Sequence, residues 1–307
     1  MSELHRHVED YLTLRRALGF RLRLHGDVLP QFADYLEAAG VTTLTTEHAV
    51  SFAQLPQGVQ PIQWAHRLTM VRGFARYLQT IDPETEIPPD DVFGARYQRP
   101  TPYLWEEAEI LGLMEAAGQL QPALRAITCE TLFGLLWTTG MRIGEAIGLE
   151  RSDVDLTAGV LTIREAKGGR TRLVPLEQSA THALGSYASR RDRLCPEPRS
   201  PAFFVSSVGT TLLPQLVGST FDRIATAIGL RTETKRPRIH DLRHAFVVRV
   251  LVSWYRSGVD AAGRMALLST YLGHVNPVDT YWYLSVSPEL IELMAARLDS
   301  RPGGGER

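Results

Sequence analysis

Lysine is nearly missing from this chain. Of its 33 basic residues only Lys167 and Lys235 are lysines, so arginine carries almost all of the positive charge. Arginine holds its proton under ordinary conditions, whereas lysine can give one up once its surroundings lower its pKa. Cysteine is scarce as well. Cys129 and Cys195 form no Cys-x-x-Cys pair, which argues against a disulfide framework or a cysteine-built zinc site and points to a reducing cytoplasm. No apolar run approaches the roughly 18 residues of a membrane span, and the opening MSELHRHVEDY lacks the apolar core of a secretion signal. Nor is there an excess of either charge. The formal charge of −1 excludes a globally basic coat for nucleic acid but leaves room for a local basic face.

That sum conceals segregation. Residues 231–256 hold seven basic and two acidic side chains, a net +5, and residues 164–193 hold seven and three, a net +4. Residues 81–118 hold nine acidic and two basic side chains, a net −7. The remainder is ordinary globular composition, 44% hydrophobic and 22% charged over 307 residues, a length that fits about two domains.

The periodicity predicts a mainly α protein with a small antiparallel β-sheet, an α+β chain in two parts. Four short amphipathic helices fill residues 1–85. One carries Val8, Tyr11, Leu12 and Leu18 and stops at Gly19. The second runs from about Gly26 to Ala39, the third follows a cap at Thr45 or Thr46, and the fourth spans about Ile62 to Leu78. Four such helices suggest a small bundle. Residues 86–102, with Pro88, Pro89, Pro100 and Pro102, read as a linker. The second part, 103–299, should hold helices at about 105–117, 122–138, from Met141 to before Glu150, 177–193, 214–228, 240–257, 260–272 and 288–299. Strands 154–156, 159–166 and 172–176 close a hairpin around Lys167. Residues 300–307, RPGGGER, read as a disordered tail.

Four segments could carry chemistry. In TTGMRIGEAIGL (residues 138–149), Arg142 falls in the first turn of a helix, and Glu145 three residues on can pair with it. Lys167 sits at the hairpin turn beside Gly168 and Gly169, and the choice of lysine in a chain that avoids it hints at proton transfer. In HDLRHAF, His240, Arg243 and His244 share one helix face. In YLGHVNPVDTYWY, Gly273 ends a helix, His274 follows in the turn, and Tyr281 and Tyr283 come next. Each alone admits a plainer role: a surface ion pair, a solvated turn lysine, a capping histidine, core aromatics. His240 and His244 could also bind zinc, but no third ligand at suitable spacing accompanies them. Together the segments assemble arginines, histidines, a lysine and a tyrosine around what could be a phosphoryl centre. No Asp/Glu cluster with metal-ligand spacing appears, so guanidinium groups would have to supply the positive charge.

In this order, Arg, Lys, His-x-x-Arg, Leu-Gly-His, Tyr, the chain resembles the tyrosine recombinases of the phage-integrase and Xer type over about residues 5–299. The ending STYLGHVNPVDTYWYLSVSPEL looks most like members carried by bacterial transposons and integrative elements. The resemblance implies a two-domain architecture, an N-terminal bundle that clamps DNA and a catalytic domain. It implies a site-specific recombinase that cuts and rejoins strands through a 3′-phosphotyrosyl link without metal, ATP or other cofactor. Arg142 and Arg243 would grip the non-bridging oxygens of the scissile phosphate and Lys167 would protonate the leaving 5′ oxygen. His240 would assist proton transfer at the nucleophile, His274 would bond the phosphate, and Glu145 would support Arg142. The family spacing from His274 selects Tyr283, nine residues on, as the nucleophile over Tyr271 and Tyr281. Arg170, Arg172, Lys235, Arg236, Arg238 and His244 are candidate DNA contacts. The implied partners are duplex recombination sites, further copies of the chain in a tetramer on two sites, and a sister recombinase or DNA-bending protein. The stretch from His244 to Leu272 is longer than in compact Xer-type members. The helix at 288–299 would dock either into a neighbouring subunit or onto its own domain. A nicking-closing enzyme of the type IB topoisomerase kind and a catalytically silent DNA-binding regulator are the alternatives.

Overall fold

The computed structural model describes residues 2–20, 22–41, 43–94, 101–166, 170–274, 276, 278–285 and 287–299. The tail expected at 300–307 lies outside these residues. The chain divides into two compact units, Met1–Pro100 and Thr101–Arg307.

The first unit holds helices α1 (Glu3–Ala17), α2 (Arg23–Ala38), α3 (Thr46–Gln54) and α4 (Pro61–Leu78). Ser2 caps α1 by accepting from the His5 amide, Thr45 does the same for α3 through His48, and Pro61 opens α4 where its missing N–H costs nothing. Their apolar stripes meet in one core, in which Tyr11 lies edge-on to Phe74 and Phe32 packs 4.9 Å from Phe52. Part of the segment read above as a linker is bound to α4. Arg72, buried on α4, donates to the carbonyl oxygens of Pro88 and Pro89 and pairs with Asp90 at 2.7 Å. Phe93 packs against Trp64. A run of prolines excludes helix but leaves its carbonyls unpaired, and a buried guanidinium collects them.

The second unit is built around α6 (Ala123–Thr139), which packs against α5 (Glu107–Gly118), α8 (Gln178–Leu194) and α10 (Asp241–Arg256). It buries Leu124, Leu132, Phe133 and Leu136 among others, the pattern of a helix enclosed on most sides. Between α6 and α8 come the single turn and a half of α7 (Ile143–Ile147) and an antiparallel sheet in the order β1 (Val154–Asp155), β2 (Val160–Ala166), β3 (Arg170–Pro175). Leu161 faces Val174 across β2 and β3, both buried, and a register shift between Ile163 and Ala166 precedes the hairpin turn. After α9 (Pro214–Ala227), α10 and α11 (Ala261–Leu272), the chain makes the short α12 (Val278–Tyr281), a 3-10 turn (Trp282–Ser285) and α13 (Pro288–Asp299). Helix α13 packs on α10 of its own chain through the fully buried Leu290. Phe246, Val247, Leu251, Met265, Leu268 and Tyr283 share that core.

Candidate active site

Two glycines let three segments converge. Gly140 ends α6 at φ +62°, a left-handed conformation that a side chain resists, and a Cβ there would run into the Phe246 ring. Gly273 ends α11 at φ +64°, where a Cβ would come 2.9 Å from the Arg172 guanidinium. The backbone thus brings the start of α7, the start of α10 and the turn after α11 to one place.

Gly140 also corrects one expectation. The helix does not begin at Met141: Arg142 is its extended cap residue, at φ −74° and ψ 146°, and sits outside the first turn. Its amide and guanidinium both bind Glu145, each at 2.9 Å. From β3, Arg172 forks onto the same carboxylate at 3.1 and 2.8 Å and donates to the Tyr271 carbonyl at 2.8 Å. Burial would raise the Glu145 pKa, but the hydrogen bonds from Arg172 and from the Arg142 amide outweigh it and hold the carboxyl at about 2.

Arg142 and Arg243 converge on the turn that follows α11. Arg142 reaches the carbonyls of Leu272 and Gly273, both at 3.3 Å. Arg243, almost wholly buried, donates to Gly140 O and Leu272 O at 2.7 Å each and lies 2.9 Å from His274 Nε2. Burial, then repulsion from Arg142, lowers its pKa to about 10, so it remains a cation at neutral pH. The other nitrogen of His274 meets the buried Thr280 hydroxyl at 2.7 Å, which fixes the ring. His240 stands just before α10 and is exposed as a residue. Desolvation of its inner side, then the Arg243 charge, push its pKa down to about 4, leaving it neutral at pH 7.

The three tyrosines separate by environment. The Tyr271 hydroxyl is spent on Thr139 O at 3.0 Å, and burial pushes its pKa up to about 12. Tyr281 is half exposed. Tyr283 is 3% exposed, lies parallel to the His274 ring at 6.4 Å, and has its hydroxyl 3.0 Å from His244 Nδ1.

Other expected residues fall elsewhere. Lys167 and the Arg170 side chain lie outside the described residues. Arg236 is exposed. Arg238 is paired with the buried Asp241 at 2.8 Å, and Lys235 pairs with Glu109 at 3.0 Å over the Tyr103 ring. Two expected DNA contacts are instead interior: His244 beside Tyr283, and Arg172 against Glu145, both about nine-tenths buried. Helical spacing placed His244 on the face of His240 and Arg243, but only the fold shows that this face meets the 3-10 turn. Arg172 had no such signal, since its carboxylate lies across a strand and a helix. Among the described residues no group of three or more His, Cys, Asp or Glu side chains could hold a metal ion.

Comparison with known proteins gives this geometry its setting. The family model described as the phage integrase family matches residues 105–289. A putative integrase/recombinase from Sinorhizobium fredii, y4rB, is 42% identical, with 98% of each chain covered. The tyrosine recombinase XerD of Caulobacter vibrioides is 30% identical over 76% of this chain and 73% of its own. Among solved structures, the Tn1549 transposon integrase in complex with transposon right end DNA superposes with a TM-score of 0.65 at 15% identity, covering 96% of this chain and 99% of that one, a likeness of fold. Identity that runs end to end, together with a family model that spans all the converging segments, shows that the chain belongs to the phage integrase family of tyrosine recombinases.

Proposed function

We propose that this protein is a site-specific DNA recombinase that cuts and rejoins strands through Tyr283, serving the integration, excision or transposition of a mobile element. One observation carries the reading: two guanidinium groups and an imidazole converge on a single turn, with a sheltered phenol held beside them. Phosphoryl transfer asks for positioning and stabilisation of charge above all. The family membership and the naming of relatives as integrases and recombinases favour strand exchange over simple nicking and closing.

In this reading the scissile phosphate takes the place of the backbone carbonyls that now occupy Arg142 and Arg243. The two arginines bind its non-bridging oxygens, and His274 adds a third bond. Tyr283 attacks phosphorus, forming a 3′-phosphotyrosyl ester as the bond to the 5′ oxygen breaks, and Lys167 protonates that oxygen. The 5′ hydroxyl of a partner strand then attacks the ester and releases Tyr283. Each ester is replaced by another of similar energy, so no ATP is consumed, and the fixed arginines supply the charge that a metal provides elsewhere. Exchange of two duplexes breaks four strands, which calls for four copies of the nucleophile and so for a tetramer on two DNA sites. The N-terminal bundle serves as a DNA clamp. The site of action is the bacterial cytoplasm, at the nucleoid, where the DNA to be recombined lies.

A nicked suicide duplex carrying the recombination site tests this. The protein should form a covalent adduct in the presence of EDTA, and Tyr283→Phe should abolish it. Loss of the adduct on chelation, or its persistence in the variant, would contradict the reading.

A further inference from the structure

We propose that Arg172 is a positioning residue for the reaction at the scissile phosphate. It clamps Glu145 so that the carboxylate holds Arg142 without capturing it, which leaves the outer nitrogen of Arg142 turned towards the phosphate. The proposal rests on the reading of Arg142 as a phosphate-binding group and adds to it what keeps that group in place.

The clamp is symmetrical. Glu145 Oε1 accepts from Arg142 Nη1 at 2.9 Å and from Arg172 Nη1 at 3.1 Å. Glu145 Oε2 accepts from the Arg142 amide at 2.9 Å and from Arg172 Nη2 at 2.8 Å. Arg172 thus takes both oxygens at once, the fork that a guanidinium makes with a carboxylate, and the carboxylate plane cannot turn towards Arg142. Arg142 Nη2 stays outside the clamp and reaches the Gly273 carbonyl at 3.3 Å, a long bond that an anion can displace. Without Arg172, Glu145 is free to make its fork with Arg142 instead and draw Nη2 inward. Charge points the same way. Glu145 is ionised at pH 7 and cancels one guanidinium. With Arg172 the three groups sum to +1, so positive charge remains for a phosphate that becomes more negative in the transition state.

Arg172 also ties separate elements to the site. On β3 it lies opposite Ile163 of β2, the last regular pair before the register shift that precedes the hairpin turn. Its Nε donates to the Tyr271 carbonyl at 2.8 Å, in the last turn of α11. Gly273 makes room for it: a Cβ there would come 2.9 Å from Arg172 Nη1 and 3.1 Å from Cζ. The glycine before His274 therefore serves the guanidinium as well as the left-handed turn. The Arg172 side chain is 10% exposed and three of its nitrogens are engaged within the protein, so it is poorly placed to grip DNA itself. A purely structural Arg172 would stabilise the fold and leave the cleavage rate of the folded enzyme alone.

The test is single-turnover cleavage of the suicide duplex at saturating DNA, with affinity for the same duplex measured alongside. It compares the parent with Arg172→Met, Arg172→Lys, Arg142→Lys and a variant carrying both Arg142→Lys and Arg172→Met. Arg172→Met should cleave on the order of 10²-fold more slowly, the scale of a small misplacement of a reacting group, with DNA affinity and its salt dependence unchanged. Arg172→Lys restores the charge but not the fork. It should recover only part of the rate, and it carries the test if the methionine variant does not fold. Because Arg172 acts through Arg142, the double variant should be little slower than Arg142→Lys alone, whereas independent sites would multiply their losses. A parent-like rate for either Arg172 variant, or losses that multiply, would overturn the proposal. So would an affinity that falls with the rate and a salt slope reduced by about 1, the mark of a direct phosphate contact. Arg142→Lys separates the two readings. Parent-like cleavage there overturns the role of Arg142 itself, whereas parent-like cleavage by Arg172→Met beside a slow Arg142→Lys overturns only the positioning.

Discussion

Glu145 shows how much of this site is held by residues that never meet a phosphate. Its carboxylate binds Arg142 from one side and Arg172 from the other, and removing one partner of such a buried set leaves the others uncompensated. Its pKa of about 2 lies below the ordinary carboxylate value of 4.5, so on acidification the unfolded chain takes up the proton first. The stabilisation from this network is therefore complete above about pH 5 and is lost as pH falls towards 2, a contribution of about 3 kcal/mol if the whole shift is counted. Denaturant unfolding of Glu145→Gln at several pH values checks this. The variant should be less stable than the parent at pH 7, and the gap should narrow from about pH 5 and close towards pH 2. A gap that stays constant would show that the carboxylate's charge is not what matters. The pairing of Arg142 with Glu145 could be read from their three-residue spacing. The third member could not, because Arg172 arrives from a strand 27 residues on.

At the scale of elements, helices and strands were largely legible because their apolar residues recur at the spacings that the two geometries demand. The differences lie where one residue decides a boundary through tertiary contact. Gly140 stops α6 and leaves Arg142 as an extended cap, whereas the sequence pattern started the next helix at Met141 and put Arg142 in its first turn. Residues 86–93 look like linker by composition, yet Arg72 binds them to the first unit. Nothing in the local sequence of α4 marks Arg72 as different from the exposed Arg76 one turn later. Arg72→Met should destabilise the first unit by about 2 kcal/mol, the scale of hydrogen bonds to a charged group, and make 86–93 a site of rapid proteolysis. Unchanged protease resistance would mean that the segment is held without Arg72, by Phe93 against Trp64 and by Glu86 bonded to Leu44 and Thr46.

For the whole molecule, a formal charge of −1 is compatible with a DNA partner only if the charge is distributed unevenly. The basic segments 164–193 and 231–256 contain β3, the approach to α10 and α10 itself, the elements that bear Arg172, His240 and Arg243. Several basic side chains in them, however, are already paired with Glu145, Glu109 or Asp241, so less of their positive charge is uncompensated than composition suggests. Affinity for DNA should still fall steeply with salt, by roughly 10³-fold or more between 50 and 200 mM if six or more phosphates are contacted. Fluorescence anisotropy on a labelled duplex measures this, and an affinity indifferent to salt would contradict phosphate-dominated binding. The central claim concerns one oxygen atom. Digestion of the trapped protein–DNA adduct and mass spectrometry of the modified peptide tests it most directly. The account predicts a 3′-linked nucleotide on Tyr283, and a nucleotide on Tyr281, or on any residue other than Tyr283, would contradict it.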